Sequence, residues 1–272
     1  MLVALHSEHL NAARAARRVV MVVGHPGHEL RVYGWLTQTR PVVHVLTDGS
    51  GSDGQSRIAS TSSLLEHAGA RRGGIYGRMT DREIYASVLA GDHGRFLALA
   101  EDVAASLVRE NADLVAGDAV EGFNPSHDVC RYIINAGARI ASQMSGRAIP
   151  CYAFPLESAP NACPDGLSAR ALRIDLDDET LERKLQAAHA YAELKSEVER
   201  TLGQYGREPF RTEYLWPVDL EDPYGWDPAR IPFYESYGAE RVASGAYTHV
   251  VKFREHVQPL ADALFAHRAT AA

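Results

Sequence analysis

The sequence predicts an α/β fold, a Rossmann-like and mostly parallel sheet with helices on both faces. Three observations predict it. Residues 18–23 (Arg-Val-Val-Met-Val-Val) and 41–46 (Pro-Val-Val-His-Val-Leu) are short continuous apolar runs, the pattern of strands buried on both faces. Segments with helical spacing separate the strand candidates, as crossover helices do in a parallel sheet. Turns rich in His, Gly, Asp and Asn (25–29, 47–54 and 121–128) follow three of these strands. Right-handed crossovers place such turns along one sheet edge, where ligands bind.

In chain order, residues 28–38 set Leu30, Tyr33, Trp35 and Leu36 at roughly helical intervals after the first strand. The second strand runs into Thr47-Asp48-Gly49 and a glycine-rich stretch over 49–54, and 56–69 reads as a helix. No strand is expected around Arg71-Arg72-Gly73-Gly74. Helices follow at 81–89 and 92–110, the latter with Phe96, Leu97, Leu99, Val103, Ala104 and Leu107. Residues 113–117 form the third strand candidate, 126–143 a helix and 149–154 a fourth strand.

The second half predicts a strand at 169–175, one long helix with a solvated charged face over 178–203, and a helix at about 252–267. Between them, Tyr214, Trp216, Tyr224, Trp226, Tyr234 and Tyr237 mark a loop-rich aromatic segment over 205–240. It can wall a pocket or pack over the sheet. The expected organisation is a single domain over 1–272, with 18–155 as core and 156–272 as a C-terminal extension completing the pocket.

At 272 residues and 46% hydrophobic content, the chain has ample material for a core. A formal charge of −7 argues against a nucleic-acid partner. Cys130, Cys151 and Cys163 suit neither a disulfide framework nor a cysteine zinc cage, so buried thiols are expected. Residues 1–18 lack the pattern of a signal peptide, and no run approaches the roughly 20 apolar residues of a membrane helix. The expectation is a cytoplasmic protein without membrane insertion, with homo-oligomerisation left open.

Twelve histidines compete for attention. His44 lies in a buried strand and reads as a hydrogen-bonded core residue. His6, His9, His67, His93, His189 and His267 have no evident partners, and His249 and His256 no readable context. His25 and His28 differ because they flank Pro26-Gly27 in a strand-to-helix turn. Two imidazoles on one turn can grip one ion, and His127, in Asn124-Pro125-Ser126-His127-Asp128 after the third strand, is a suitable third ligand. Imidazole ligands favour Zn2+, with nickel, copper or ferrous iron as other options.

Two further motifs allow more than one reading. Gly49-Ser50-Gly51-Ser52-Asp53-Gly54 fits Gly-x-Gly-x-x-Gly, but it follows the second strand rather than the first, and no strand is expected after its helix. A flexible site loop is the preferred reading, with no dinucleotide cofactor. Arg71, Arg72 and Arg78 can recognise a substrate anion, although a solvated basic turn explains them more simply.

Gly24-His25-Pro26-Gly27-His28-Glu29 resembles the Ala-His-Pro-Asp-Asp-Glu signature of the LmbE-like (PIG-L) zinc deacetylases. Thr47-Asp48-Gly49 is similar to that family's Thr-Asp-Gly, and Asn124-Pro125-Ser126-His127 to its His-Pro-Asp-His, in the same order over about 18–155. The resemblance implies His25, His28 and His127 as metal ligands, with histidine replacing an aspartate ligand at position 28. It implies hydrolysis of an N-acyl amide, typically N-acetyl, on an amino sugar or sugar-containing conjugate as small-molecule substrate.

The departures matter equally. The family's aspartate base falls at Gly27, which cannot take a proton, and the oxyanion-stabilising histidine falls at Asn124, which can still donate a hydrogen bond. Losing a base ordinarily removes a factor of about 10²–10⁴ in rate. Glu29, Asp48, Asp118, Glu121 and Asp128 are the candidate replacements, with Glu29 and Asp128 able instead to orient neighbouring ligands. Catalytic roles are accordingly expected for Glu29, Asp48, Asn124 and Asp128. The alternatives are a metal enzyme with a different reaction in specialised metabolism, or a catalytically degenerate binding protein.

Overall fold

The computed structural model describes residues 18–51 and 54–268. The first strands are β1 (Val19–Val23), β2 (Val42–Thr47), β3 (Arg71–Met79), β4 (Leu114–Asp118) and β5 (Cys151–Phe154), followed by β6 (Leu172–Asp175) and β7 (Thr212–Pro217). They form one seven-stranded sheet in the order β3-β2-β1-β4-β5-β7-β6. The first five strands pair in parallel, while β7 pairs antiparallel with both β5 and β6. This is the mostly parallel α/β architecture that the apolar runs predicted.

The strand pleat divides the core between the two faces. Val20 and Val22 of β1 belong to one apolar cluster, whereas Val19, Met21 and Val23 belong to the other. The first cluster takes in α3 (Asp81–Ala90), α4 (His93–Arg109), α5 (Pro125–Ser145) and α9 (Gln258–Ala266); the second takes in α1 (Tyr33–Thr39) and α2 (Ile58–Ala68). Helices therefore cover both faces, which explains why these strands read as unbroken apolar runs. No helix among the described residues is long and apolar enough to cross a membrane.

The topology also locates the site. From β1 the chain builds outward to β2 and β3, then returns to lay β4 on the other side of β1. The reversal leaves a crevice at the C-terminal ends of β1 and β4, where ligands bind in doubly wound sheets.

Several expectations need correction. Arg71 and Arg72 open an edge strand, β3, although the sequence there gives no apolar signal. Its glycines serve close packing: a Cβ on Gly73 would lie 2.4 Å from the His44 ring, and the Ile75 amide donates to His44 Nδ1. The single helix expected over 178–203 is two helices, α6 (Asp178–Ala190) and α7 (Lys195–Tyr205), joined by a 3₁₀ turn at Ala192–Leu194. The break buries Tyr191 against Leu30, Tyr33 and Leu64. The aromatic segment contains β7 and α8 (Phe233–Ala243), and its Tyr224, Trp226 and Tyr234 pack on the sheet-side core.

The charged face of α6 is not wholly solvated either. Lys184 is buried, with its ammonium 2.8 Å from Glu213 of β7 and donating to the carbonyls of Arg31 and Phe210. Glu213 in turn accepts the amides of Gly34 and Trp35 at the start of α1. This closed ionic network fastens the C-terminal half to the segment following β1. Cys130 and Cys151 are buried thiols as expected, and Cys163 is only partly buried.

His44 is the hydrogen-bonded core residue its strand suggested. Nδ1 accepts from Ile75, and Nε2 lies 2.7 Å from the Ser106 hydroxyl. Burial, assisted by the charge of Arg109, lowers its pKa to about 4. The unfolded chain, with an imidazole near 6.5, takes up this proton first as pH falls. Stability contributed by neutral His44 is therefore complete above pH ~6.5 and is lost on descending to about 4, amounting to roughly 3 kcal/mol at about 1.4 kcal/mol per unit. Denaturant titrations across this window are expected to show a steeper decline for the wild type than for His44→Gln; equal slopes would refute the assignment.

Candidate metal centre

Past Val23 the chain leaves the sheet and reverses through Pro26 and Gly27 into a 3₁₀ turn over His28–Val32. Gly27 has φ +103°, a conformation open to glycine and strained for other residues. The buried Glu29 carboxylate braces the reversal: Oε2 accepts the Gly27 amide at 2.9 Å and Oε1 accepts the Thr61 hydroxyl at 2.7 Å. The Tyr191 hydroxyl lies 2.8 Å from that of Thr61. The helix break at Tyr191 and the turn after β1 thus share one hydrogen-bond network.

His25, His28 and His127 each offer a ring nitrogen, and the three nitrogens lie within 4.8 Å of one another. His25 and His28 come from the β1 turn, and His127 from the first turn of α5, so the three rings span the crevice between β1 and β4. Two rings are held by carboxylates. His28 Nδ1 lies 2.9 Å from Asp118 Oδ2, an oxygen that also accepts the Gly24 amide at 2.7 Å. His25 Nε2 lies 3.1 Å from Asp81 Oδ1, while its Nδ1 is buried without a hydrogen-bond partner. A buried nitrogen without a hydrogen-bond partner, beside two other imidazoles, is free to act as a metal donor. Burial, then the neighbouring His28 and His25, hold the His127 pKa well below its usual value, keeping it a neutral donor. At His28 burial opposes the charge, but Asp118 outweighs it and raises the pKa. The donor set fits a divalent transition ion.

The other expected site residues occupy distinct places. Asn124 caps α5, and its Oδ1 accepts from Ser126 and from the Tyr85 hydroxyl. Its amide NH2 has no partner among the described residues, and Asn124 lines the cavity beside the histidines. Asp48 Oδ1 accepts the Ser50 amide and shapes the loop after β2. Asp128 Oδ1 takes the amides of Glu121 and Gly122, and burial raises its pKa to about 7. Glu121 receives the amides of Leu156, Glu157 and Ser158 and the Ser158 hydroxyl. Glu29, Asp48, Asp118, Glu121 and Asp128 all have bonding partners, and none of the five lines the cavity.

Sequence reading missed Asp81, which sits at the start of α3 and also accepts the Gly51 amide at 2.7 Å. Burial works against its charge, yet His25 and the Gly51 amide help hold its pKa at about 2. The only local signal was the capping box of Thr80 and Glu83, which marks a helix start and says nothing of a ligand. The loop after β2, whose Ser52 and Asp53 lie outside the described residues, commits Gly51 to Asp81. His6 and His9 likewise lie outside the described residues. His67 and His267, expected to lack partners, contact the Ser63 carbonyl and Glu101. Arg71 and Arg78 pair with Glu110 and Asp102, and Arg72 stacks on Tyr76; none lines the cavity.

A cavity of about 390 Å³ opens from the three histidines toward α6 and α7. None of the six aromatic residues singled out over 205–240 lines it. Leu194, in the turn between the two helices, faces Gly27 so closely that a Cβ there would lie 2.3 Å from Leu194 Cδ1. The space for a side chain at position 27 is therefore filled from the far half of the chain.

No protein-family model matches this chain, and no curated protein matches it. Among solved structures, it is similar to the zinc-inhibited form of teicoplanin deacetylase Orf2, with 16% identity over 74% of this chain and 98% of that one, at a TM-score of 0.55. A deacetylase–bog complex from the teicoplanin biosynthesis pathway shows the same identity and coverage at 0.56. A deacetylase–teicoplanin complex from that pathway matches at 14% identity, over 74% and 97% of the chains, at 0.51. Likeness at this identity establishes a common fold.

The position of Leu194 bears on whether an aspartate can be restored. Gly27→Asp is expected to destabilise the protein by about 1–3 kcal/mol through strain and overpacking, without raising activity. Adding Leu194→Ala is expected to recover part of the loss. Denaturant midpoints measure both; an unchanged midpoint in Gly27→Asp would contradict the packing described.

Proposed function

We propose that this chain is a metal-dependent hydrolase of an N-acyl amide, acting on an N-acetyl group of an amino sugar or sugar-containing conjugate. The observation that carries the reading is the convergence of His25, His28 and His127 at the β1/β4 crevice, two of them braced by carboxylates, on a cavity of small-molecule size. The fold neighbours, described as deacetylases of teicoplanin biosynthesis, support the same class.

A divalent ion held by the three histidines would supply Lewis acidity at the amide carbonyl. The chain's own residues do the rest. Asp118 fixes the ring of His28, and Asp81 that of His25, so both keep their orientation. The Asn124 amide, held by its oxygen to Ser126 and Tyr85, offers its NH2 to the developing oxyanion. The cavity joins leucines (Leu156, Leu185, Leu202) to cations (Arg31, Arg57, Arg200). That mixture suits a conjugate with an apolar part and a hydroxyl-rich part.

A second reading keeps the centre but assigns it another reaction, and it draws on Leu194 filling the place beside Gly27. Metal analysis beside an assay of N-acetylated sugars and conjugates separates the two. The proposal expects one ion per chain, acyl release that stops on chelation and returns with added metal, and in His127→Ala a weaker metal affinity with loss of acyl release. Metal bound without turnover of any substrate favours the second reading, and no metal bound overturns both.

A further inference from the structure

Hydrolysis needs a proton acceptor near the three histidines, and Gly27 is not one. The carboxylates nearest in sequence are engaged: Glu29 with Gly27 and Thr61, Asp48 with Ser50, Asp118 with Gly24 and His28, Glu121 with the 156–158 amides, and Asp128 with Glu121 and Gly122. On the cavity wall, Asp81 Oδ2 accepts the Gly51 amide and its Oδ1 lies 3.1 Å from His25 Nε2 without a hydrogen bond, and Glu197 accepts from Ser196. One cavity carboxylate remains. Glu157 lines the same cavity as the three histidines, and its side-chain oxygens have no hydrogen-bond or ion-pair partner among the described residues.

The loop bearing Glu157 is built to hold it still. Glu121 receives the amides of Leu156, Glu157 and Ser158 together with the Ser158 hydroxyl. From the other side the Arg31 guanidinium donates to the carbonyls of Pro155 and Ser158. Every one of these bonds ends on the backbone around Glu157 or on Ser158, and none on the Glu157 carboxylate. The backbone that carries Glu157 is thus fixed, while its carboxylate stays open to the cavity and to water.

We propose that Glu157 is the general base of this centre, taking the role that position 27 cannot. The assignment rests on the hydrolase reading above. As water bonds through oxygen to the acyl carbon, it gives a proton to a Glu157 carboxylate oxygen. Collapse then breaks the C–N bond, and the same proton passes to the departing nitrogen, leaving a carboxylic acid and an amine. Nothing is oxidised or reduced. Partial desolvation and the charge of Glu121 raise the Glu157 pKa above its ordinary value, against the opposing charges of His28, Arg31 and Arg200.

The test compares metal-loaded wild type with Glu157→Gln, Glu157→Asp and Glu157→Ala, following acyl release, metal content and thermal midpoint. The expected result is a fall in kcat of about 10²–10⁴-fold in Glu157→Gln with KM changed little. Glu157→Asp should regain part of the rate, and added formate should partly rescue Glu157→Ala. Metal content and thermal midpoint should stay at wild-type values, because the carboxylate makes no structural bond. A Glu157→Gln enzyme as fast as wild type overturns the assignment alone. So does a raised KM with unchanged kcat, which marks a substrate-binding role, or lost metal, which marks a ligand. A metal-loaded wild type without turnover overturns the hydrolase reading beneath it.

Discussion

Asp118 stands fully buried at the end of β4, and one of its carboxylate oxygens serves two groups, the Gly24 amide at the end of β1 and the ring of His28. A carboxylate so far from water depends on these two partners, all the more because its other oxygen is buried without a hydrogen bond. That requirement fixes the spacing of the two strands' ends and the orientation of the His28 ring together. The same residue's carbonyl accepts from the buried Arg131, which also donates to the Tyr152 carbonyl and contacts Cys151 in β5. Three neighbouring strands of the sheet are thereby tied at the edge where the histidines gather. The centre inherits its rigidity from the sheet.

The second constraint arrives from far along the chain. Leu194 closes the space beside Gly27, and Tyr191, three residues earlier, joins Thr61 and Glu29 beneath the same turn. The break that separates α6 from α7 serves both contacts. Gly27 therefore sits where an apolar side chain fills the room that a side chain at this position would need. A proton acceptor, on this account, enters from the loop after β5, which Glu121 and Arg31 hold in place.

Much of this was legible in the sequence where residues act through local pattern. The strands β1, β2, β4 and β5 are buried on both faces and announce themselves as apolar runs. The pairing of His25 and His28 across a Pro-Gly turn, with His127 after a later strand, follows from the fold class. Elements that depend on distant partners stayed hidden. The edge strand β3 begins Arg-Arg-Gly-Gly because it needs little apolar surface and must let the His44 ring approach. The break at Tyr191 has no glycine or proline to mark it. Asp81 and Glu157 carry no motif at all, since only the folded sheet edge brings them to the histidines.

The central claim is that His25, His28 and His127 bind one ion together. X-ray absorption at the zinc edge of the metal-loaded protein tests it most directly. The account predicts three imidazole nitrogens at about 2.0–2.1 Å from zinc, falling to two in His127→Ala and unchanged in Glu157→Gln. A spectrum with fewer than three imidazole nitrogens in the wild type, or one that His127→Ala leaves unaltered, would contradict it.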